Sequence, residues 1–115
     1  MPKLSVCIIS KNEEEVLDNC LNSVSWADEV VIVDSGSTDA TLKIAQKHGA
    51  QIYFNEWSGF GAQRIKAESL ASHDWIFAID CDEVVSDGLK NEILNLFQKN
   101  KILPQENVYL SLIHI

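Results

Sequence analysis

Trp75-Ile76-Phe77-Ala78-Ile79-Asp80-Cys81-Asp82-Glu83 is the stretch that decides the fold class. Its five consecutive apolar residues are too few for a membrane helix, which needs about twenty. They suit a strand buried on both faces, and the run ends abruptly in carboxylates. The same pattern recurs upstream. Leu4 to Ser10 holds Val6-Cys7-Ile8-Ile9, Glu29 to Asp34 holds Val30-Val31-Ile32-Val33, and Ala50 to Asn55 is a weaker third case.

Helical patterns fill the gaps. Asn12 and Glu15 have capping-box spacing, with Glu13 and Glu14 in the first turn, and Val16, Leu17, Cys20, Leu21 and Val24 form an apolar face. Ser35-Gly36-Ser37-Thr38 is a turn that offers a hydroxyl cap to a helix reaching His48, with Gly49 as its stop. Trp57-Ser58-Gly59-Phe60-Gly61 precedes a helix from about Ala62 to Ser72. Ser86 or Asp87 caps a last helix with Leu89, Ile93, Leu96 and Phe97 on one face. Strand and helix therefore alternate four times. That order predicts an α/β fold, a Rossmann-like, mostly parallel sheet with right-handed crossovers and helices on both faces.

The 115 residues carry 17 acids against nine Lys+Arg, a formal charge of −8, and 46% are hydrophobic. Such a chain has enough apolar material for one core, and its charge repels phosphate backbones, so no nucleic-acid partner is expected. The start lacks the apolar core and cleavage site of a signal peptide, so a cytoplasmic location is expected. Cys7, Cys20 and Cys81 are odd in number and make no Cys-x-x-Cys pair, which argues for reduced thiols and against a thiolate zinc site.

In open parallel sheets, ligands bind outside the carboxyl ends of the strands, where strand order reverses. The residues to read for chemistry are therefore Ser10-Lys11-Asn12, Asp34-Ser35-Gly36-Ser37, Asn55 to Gly61 and Asp80-Cys81-Asp82-Glu83. Asp80 and Asp82 lie two apart, so an extended backbone would point both carboxylates the same way. Mg²⁺ or Mn²⁺, completed by substrate phosphate and water, is the natural counter-ion. The alternative is a pair of solvated loop acids with Asp82 or Glu83 as a local cap. Small residues after Asp34 let a flat ring or a phosphate approach the backbone, although an Asx-turn opening the next helix is an equal reading. Gly59-Phe60-Gly61-Ala62-Gln63-Arg64 imitates a dinucleotide fingerprint, but Arg64 replaces the third glycine and the segment follows the third strand. In the first helical turn Arg64 is able to reach a diphosphate. Cys81 reads as a spacer, and the three tryptophans as core or rim packing.

Taken together, the segments Leu4 to Glu14, Val33 to Thr41 and Ile79 to Glu83 resemble family 2 glycosyltransferases of the GT-A fold. Asn55 to Arg64 is similar to the branch that builds the lipopolysaccharide inner core, the β-1,4-glucosyltransferase-like enzymes. The resemblance implies a nucleotide-sugar donor, a lipid-linked saccharide acceptor and metal-dependent, inverting transfer, with peripheral membrane association of the parent at the cytoplasmic face. It sets Asp34 and Ser35 against the nucleobase, with Ser10 and Asn12 lining the same pocket. Gln63 and Arg64 would face the base or diphosphate, Asp80 the ribose or metal, and Asp82 the metal. Many members have a second acid where this chain has Ser35. The resemblance puts the catalytic base beyond the segment seen, so no catalytic residue is assigned.

Residues 1–109 then read as the donor-binding part of such a domain, incomplete at the C-terminus. Residues 110–115, Leu110-Ser111-Leu112-Ile113-His114-Ile115, match the translation of a transposon mosaic-end adaptor and read as a scar. The other reading is a fifth strand begun by Val108 and Tyr109. Two functional alternatives stand beside the transferase: a module that binds nucleotide without transfer, and a haloacid dehalogenase-type phosphohydrolase, whose nucleophile strand Ile76 to Val85 imitates.

Overall fold

A computed structural model describes residues 3–98 and 109–110, with side chains through residue 95. In chain order the elements are β1 (Leu4–Ser10), α1 (Leu17–Ser23), β2 (Glu29–Asp34), α2 (Thr41–Lys47), β3 (Gln51–Phe54), α3 (Phe60–Leu70), β4 (Trp75–Ala78), α4 (Asp87–Gln98) and β5 (Tyr109–Leu110). All strand pairs are parallel, in the order β3-β2-β1-β4-β5. The expected alternation and parallel sheet are therefore present.

Strand order explains the layers. The chain steps outward from β1 to β2 to β3, so right-handed crossovers lay α1 and α2 on one face; the return to β4 lays α3 on the other. The larger core cluster accordingly joins Leu4, Val6, Ile8, Ile32, Trp75 and Phe77 to Leu17, Cys20 and Leu21 of α1, Ala45 of α2 and Ile93 of α4. A smaller cluster under α3 holds Cys7, Val31, Val33, Ile76 and Ala67. β1, β2 and β4 each contribute alternate residues to the two clusters, as the period of two requires.

The helix starts differ from the sequence expectation. No capping box forms at Asn12: α1 begins at Leu17, and Val16 at its N-cap makes no side-chain cap bond. Asn12 instead adopts φ 52° and turns its side chain to the next loop, where Oδ1 accepts from the Thr38 N–H at 2.8 Å. Nor do the turn hydroxyls cap α2. Ser37 Oγ donates to Asp34, and Asp39 Oδ1 accepts from the Thr41 N–H at 2.9 Å. At α4 the expectation holds, since Ser86 Oγ accepts from the Leu89 N–H at 3.1 Å. Gly49, at φ 75°, ends the α2 segment as expected. The side chains of Leu96 and Phe97, and residues 111–115 of the suspected scar, lie outside the described residues. Tyr109 and Leu110 pair with Ile76 and Phe77 at the sheet edge.

On the α3 face one buried acid ties three elements together. Glu29, 9% exposed, accepts from Ser5 Oγ at 2.6 Å and from both the N–H and the hydroxyl of Ser72 at 2.8 Å. Burial is the largest single influence on its carboxyl and opposes ionisation. The Ser5 and Ser72 bonds together outweigh it and hold the pKa below the ordinary range. A depressed folded pKa means stability that is present above the unfolded value and lost as pH falls through the folded one. Glu29→Gln is therefore expected to lower stability by about 1–3 kcal/mol at neutral pH. The gap to wild type should narrow below about pH 4, as read from urea midpoints between pH 7 and pH 3.

Candidate functional site

Strand order reverses at β1, whose neighbours are β2 on one side and β4 on the other. The crevice at their carboxyl ends is where such a sheet binds ligands. Three loops meet around it, after β1, β2 and β4, and the α3 amino end adds Arg64.

Ser10 and Asp34 are adjacent because their strands pair in register there. Asp34 is 2% exposed, and its carboxylate takes four bonds. Oδ1 accepts from Ser10 Oγ at 2.7 Å and Ser37 Oγ at 2.6 Å; Oδ2 accepts from the N–H groups of Gly36 at 2.9 Å and Ser37 at 2.7 Å. Burial alone would raise its pKa, but these donors together lower it. Gly36, at φ 118°, lets the chain wrap around the carboxylate in a conformation other residues rarely adopt. Asp34 therefore faces inward and shapes the loop, leaving half-buried Ser35 beside it.

Asn12 belongs to the same assembly. Its N–H donates to Ser37 Oγ at 2.8 Å, and the next N–H, of Glu13, donates to Thr41 Oγ1 at 2.8 Å. The loops after β1 and β2 are thus clipped together by side chains of the second accepting from the backbone of the first, and Asn12 returning the contact. Sequence spacing within either loop carries no trace of this.

At β4 the backbone departs from the extended reading. The strand ends at Ala78, and Asp80 to Glu83 form a turn in which the Glu83 N–H donates to Asp80 O at 3.0 Å. Glu83 Oε1 accepts the Asp80 N–H at 2.7 Å, so the local cap contemplated for these acids is real and belongs to Glu83. Asp80 and Asp82 are still both exposed, but for a different reason. Cys81 between them is drawn into the core, 3% exposed, with its Sγ donating to Ile9 O at 3.3 Å.

Arg64 reaches across from α3, and its Nη2 donates to Asp80 Oδ1 at 2.8 Å. Two of the expected site residues thus meet. Gln63 behaves differently: it is fully buried and its amide is spent on Asn55, accepting from Asn55 Nδ2 at 2.6 Å and donating to Asn55 O at 3.2 Å. Any influence of Gln63 on a ligand runs through the loop it staples.

Glu13 is a further participant that sequence reading treated only as helix-terminus charge. Its half-buried carboxyl is pushed up, first by burial and then by the charges of Asp82, Asp39 and Asp80. Its position directly after a strand end was the available signal. Among the described residues no three His, Cys, Asp or Glu side chains are arranged to hold a metal ion by themselves. The exposed carboxylates of Asp80 and Asp82, on one turn, are oxygen donors of the kind that Mg²⁺ or Mn²⁺ takes together with phosphate oxygens and water. A separate cavity of about 220 Å³ lies at the opposite, amino ends of β2 and β3, lined by Val24, Asp28, Glu29, His48 and Gln51 among others.

Comparison with known proteins identifies the family. The family model described as "Glycosyl transferase family 2" matches residues 5–108. An uncharacterized glycosyltransferase of Rickettsia conorii is 45% identical over 96 residues, 83% of this chain and 34% of the relative. The lipopolysaccharide core biosynthesis glycosyltransferase LpsC of Rhizobium meliloti is 37% identical over 97 residues, 78% of this chain and 36% of the relative. The chain thus spans about a third of the length of these relatives. Among solved structures, S. aureus TarS 1-349 in complex with UDP-GlcNAc superposes with a TM-score of 0.66 at 28% identity, covering 84% of this chain and 31% of that one. Glucosyl-3-phosphoglycerate synthase from Mycobacterium tuberculosis, in complex with Mn²⁺, UDP and glucosyl-3-phosphoglycerate, shares the fold with a TM-score of 0.70 at 24% identity, covering 87% and 41%. By its sequence and its GT-A sheet, the chain belongs to glycosyl transferase family 2.

Proposed function

We propose that this chain holds the nucleoside diphosphate end of a sugar donor for a metal-dependent, inverting glycosyltransferase. The observation that carries the reading is the Arg64–Asp80 pair, 2.8 Å apart beside the β1/β4 crevice and half exposed on both sides. A guanidinium in that position suits a diphosphate oxygen, and taking it up would release Asp80. Asp80 and Asp82 would then share a divalent cation with that diphosphate. When bound, the cation supplies charge neutralisation for the departing nucleoside diphosphate.

The chain's own residues do the rest of the donor binding. Asp34, by gathering the Gly36 and Ser37 N–H groups inward, fixes the loop on which Ser35 sits against the nucleobase. Ser10 and Asn12 hold that loop from the β1 side. Arg64 orients the diphosphate, and Gln63 keeps the preceding loop in place. UDP and UDP-GlcNAc in the TarS complexes and Mn²⁺ with UDP in the synthase complex support a uridine nucleotide and a divalent metal. LpsC, named for lipopolysaccharide core biosynthesis, supports a saccharide acceptor of the lipopolysaccharide core; a lipid-linked form of it, met at the cytoplasmic face of a membrane with peripheral association of the parent, rests on the family resemblance alone. Among the described residues no helix is long and apolar enough to cross a membrane. Membership of family 2 sets the phosphohydrolase alternative aside.

Calorimetric titration of the chain with UDP, with and without Mn²⁺, tests the site. Asp82→Ala is expected to abolish the Mn²⁺-dependent gain in affinity, and equal gains in both proteins would sink the assignment. Arg64→Gln should weaken UDP about tenfold or more while leaving the affinity for uridine unchanged, because only the diphosphate loses a charge-assisted bond. A parallel loss for uridine would move Arg64 away from the phosphates.

A further inference from the structure

The loop between β3 and α3 exposes aromatic surface that donor binding does not use. Trp57 is 49% exposed and Phe60 68% exposed. Their rings stand edge to face, centroids 5.1 Å apart and planes at 84°. Phe54, 69% exposed, is a further exposed ring, beside Gly36 of the Asp34 loop, where a Cβ would lie 3.8 Å from it. Two exposed aromatic rings packed on each other mark a candidate contact surface.

Its position ties it to the site. Phe60 and Arg64 are four residues apart on α3 and so lie on one helix face, about 6 Å between Cβ atoms. Arg64 is the residue bonded to Asp80. The loop is also stiff. Asn55 N–H donates to Asp34 O at 3.0 Å, the Gln63 amide accepts from the Asn55 side chain and donates to its backbone carbonyl, and the Gln63 N–H donates to Gly59 O at 3.1 Å. A fixed pair of rings loses little entropy when it binds.

The chemistry around the rings selects the ligand. Residues 55–61 carry one acid, Glu56, and no cation, and the proposed function commits the nearby Arg64 to the donor diphosphate, so a second anionic group finds little to hold it. A sugar ring matches better. Its C–H groups carry slight positive charge toward the negative aromatic face, while its hydroxyls reach the exposed Glu56 and Ser58.

We infer that Trp57 and Phe60 form a stacking platform for a neutral saccharide ring, placing the acceptor one helical turn from the diphosphate-binding arginine. The inference rests on the donor-site reading above but is tested apart from it. Saturation-transfer NMR with maltotriose and cellotriose is expected to detect binding in roughly the millimolar range. Saturation should pass mainly to the sugar C–H protons, and the Trp57 indole N–H should shift. Trp57→Ala and Phe60→Ala, whose exposed side chains are not needed for the core, should each weaken binding about tenfold. UDP affinity in these variants should stay within about twofold of wild type. Far-UV dichroism and the urea midpoint should be unchanged, which separates loss of the platform from loss of fold.

Intact UDP binding without any saccharide signal would overturn the platform alone. Saccharide binding without UDP binding would leave the platform standing and remove the donor reading. Binding to phosphatidylcholine vesicles, or self-association abolished by Trp57→Ala, without saccharide binding would reassign the surface to a lipid or to a second copy of the chain.

Discussion

A buried carboxylate must be satisfied, and in this protein that requirement falls on Asp34. At the end of a strand covered on both faces it has almost no access to water, so its charge is held by hydroxyls and backbone N–H groups brought to it. Satisfying it bends Ser35 to Ser37 into one shape. It also draws Ser10 from the neighbouring strand and leaves Ser37 Oγ available to the Asn12 backbone. The clip between the β1 and β2 loops and the shape of the loop that carries Ser35 follow from that one charge.

The opposite edge of the crevice is governed by a different economy. Asp80 and Asp82 stay in water because Cys81 goes inward, and the turn that arranges this is closed by Glu83. Arg64 then supplies a positive partner to a chain with a strong negative excess. The site is therefore rigid on its β2 side, where charge is buried, and rearrangeable on its β4 side, where an exposed ion pair contributes little to stability and is readily exchanged for a better anion. That division suits a ligand with a flat base at one end and a flexible diphosphate at the other.

The strands were legible in the sequence because burial on both faces leaves an unmistakable apolar run, as at Val30 to Val33 and Trp75 to Ile79. Their order fixed which loops meet. The starts of α1 and α2 were not legible, unlike the Ser86 cap of α4, because Asn12, Ser37 and Thr38 have the right chemistry for caps but bond across the β1 and β2 loops. The resemblance sets Gln63 toward the ligand, whereas the Asn55 side chain eight residues earlier explains its burial. Arg64 and Asp80 were each identifiable at strand and helix ends, whereas their pairing needed the crossover of α3 over the sheet.

The three cysteines carry one more consequence. Each is buried, and burial pushes the thiols of Cys7 and Cys20 up to about 12 and that of Cys81 higher still. Alkylating reagents attack thiolates, which these side chains barely form in the closed molecule. Labelling speed thus becomes a clock for opening: Cys7 times separation of α3 from the sheet, Cys20 that of α1 from the β4 turn, and Cys81 that of the turn from the end of β1.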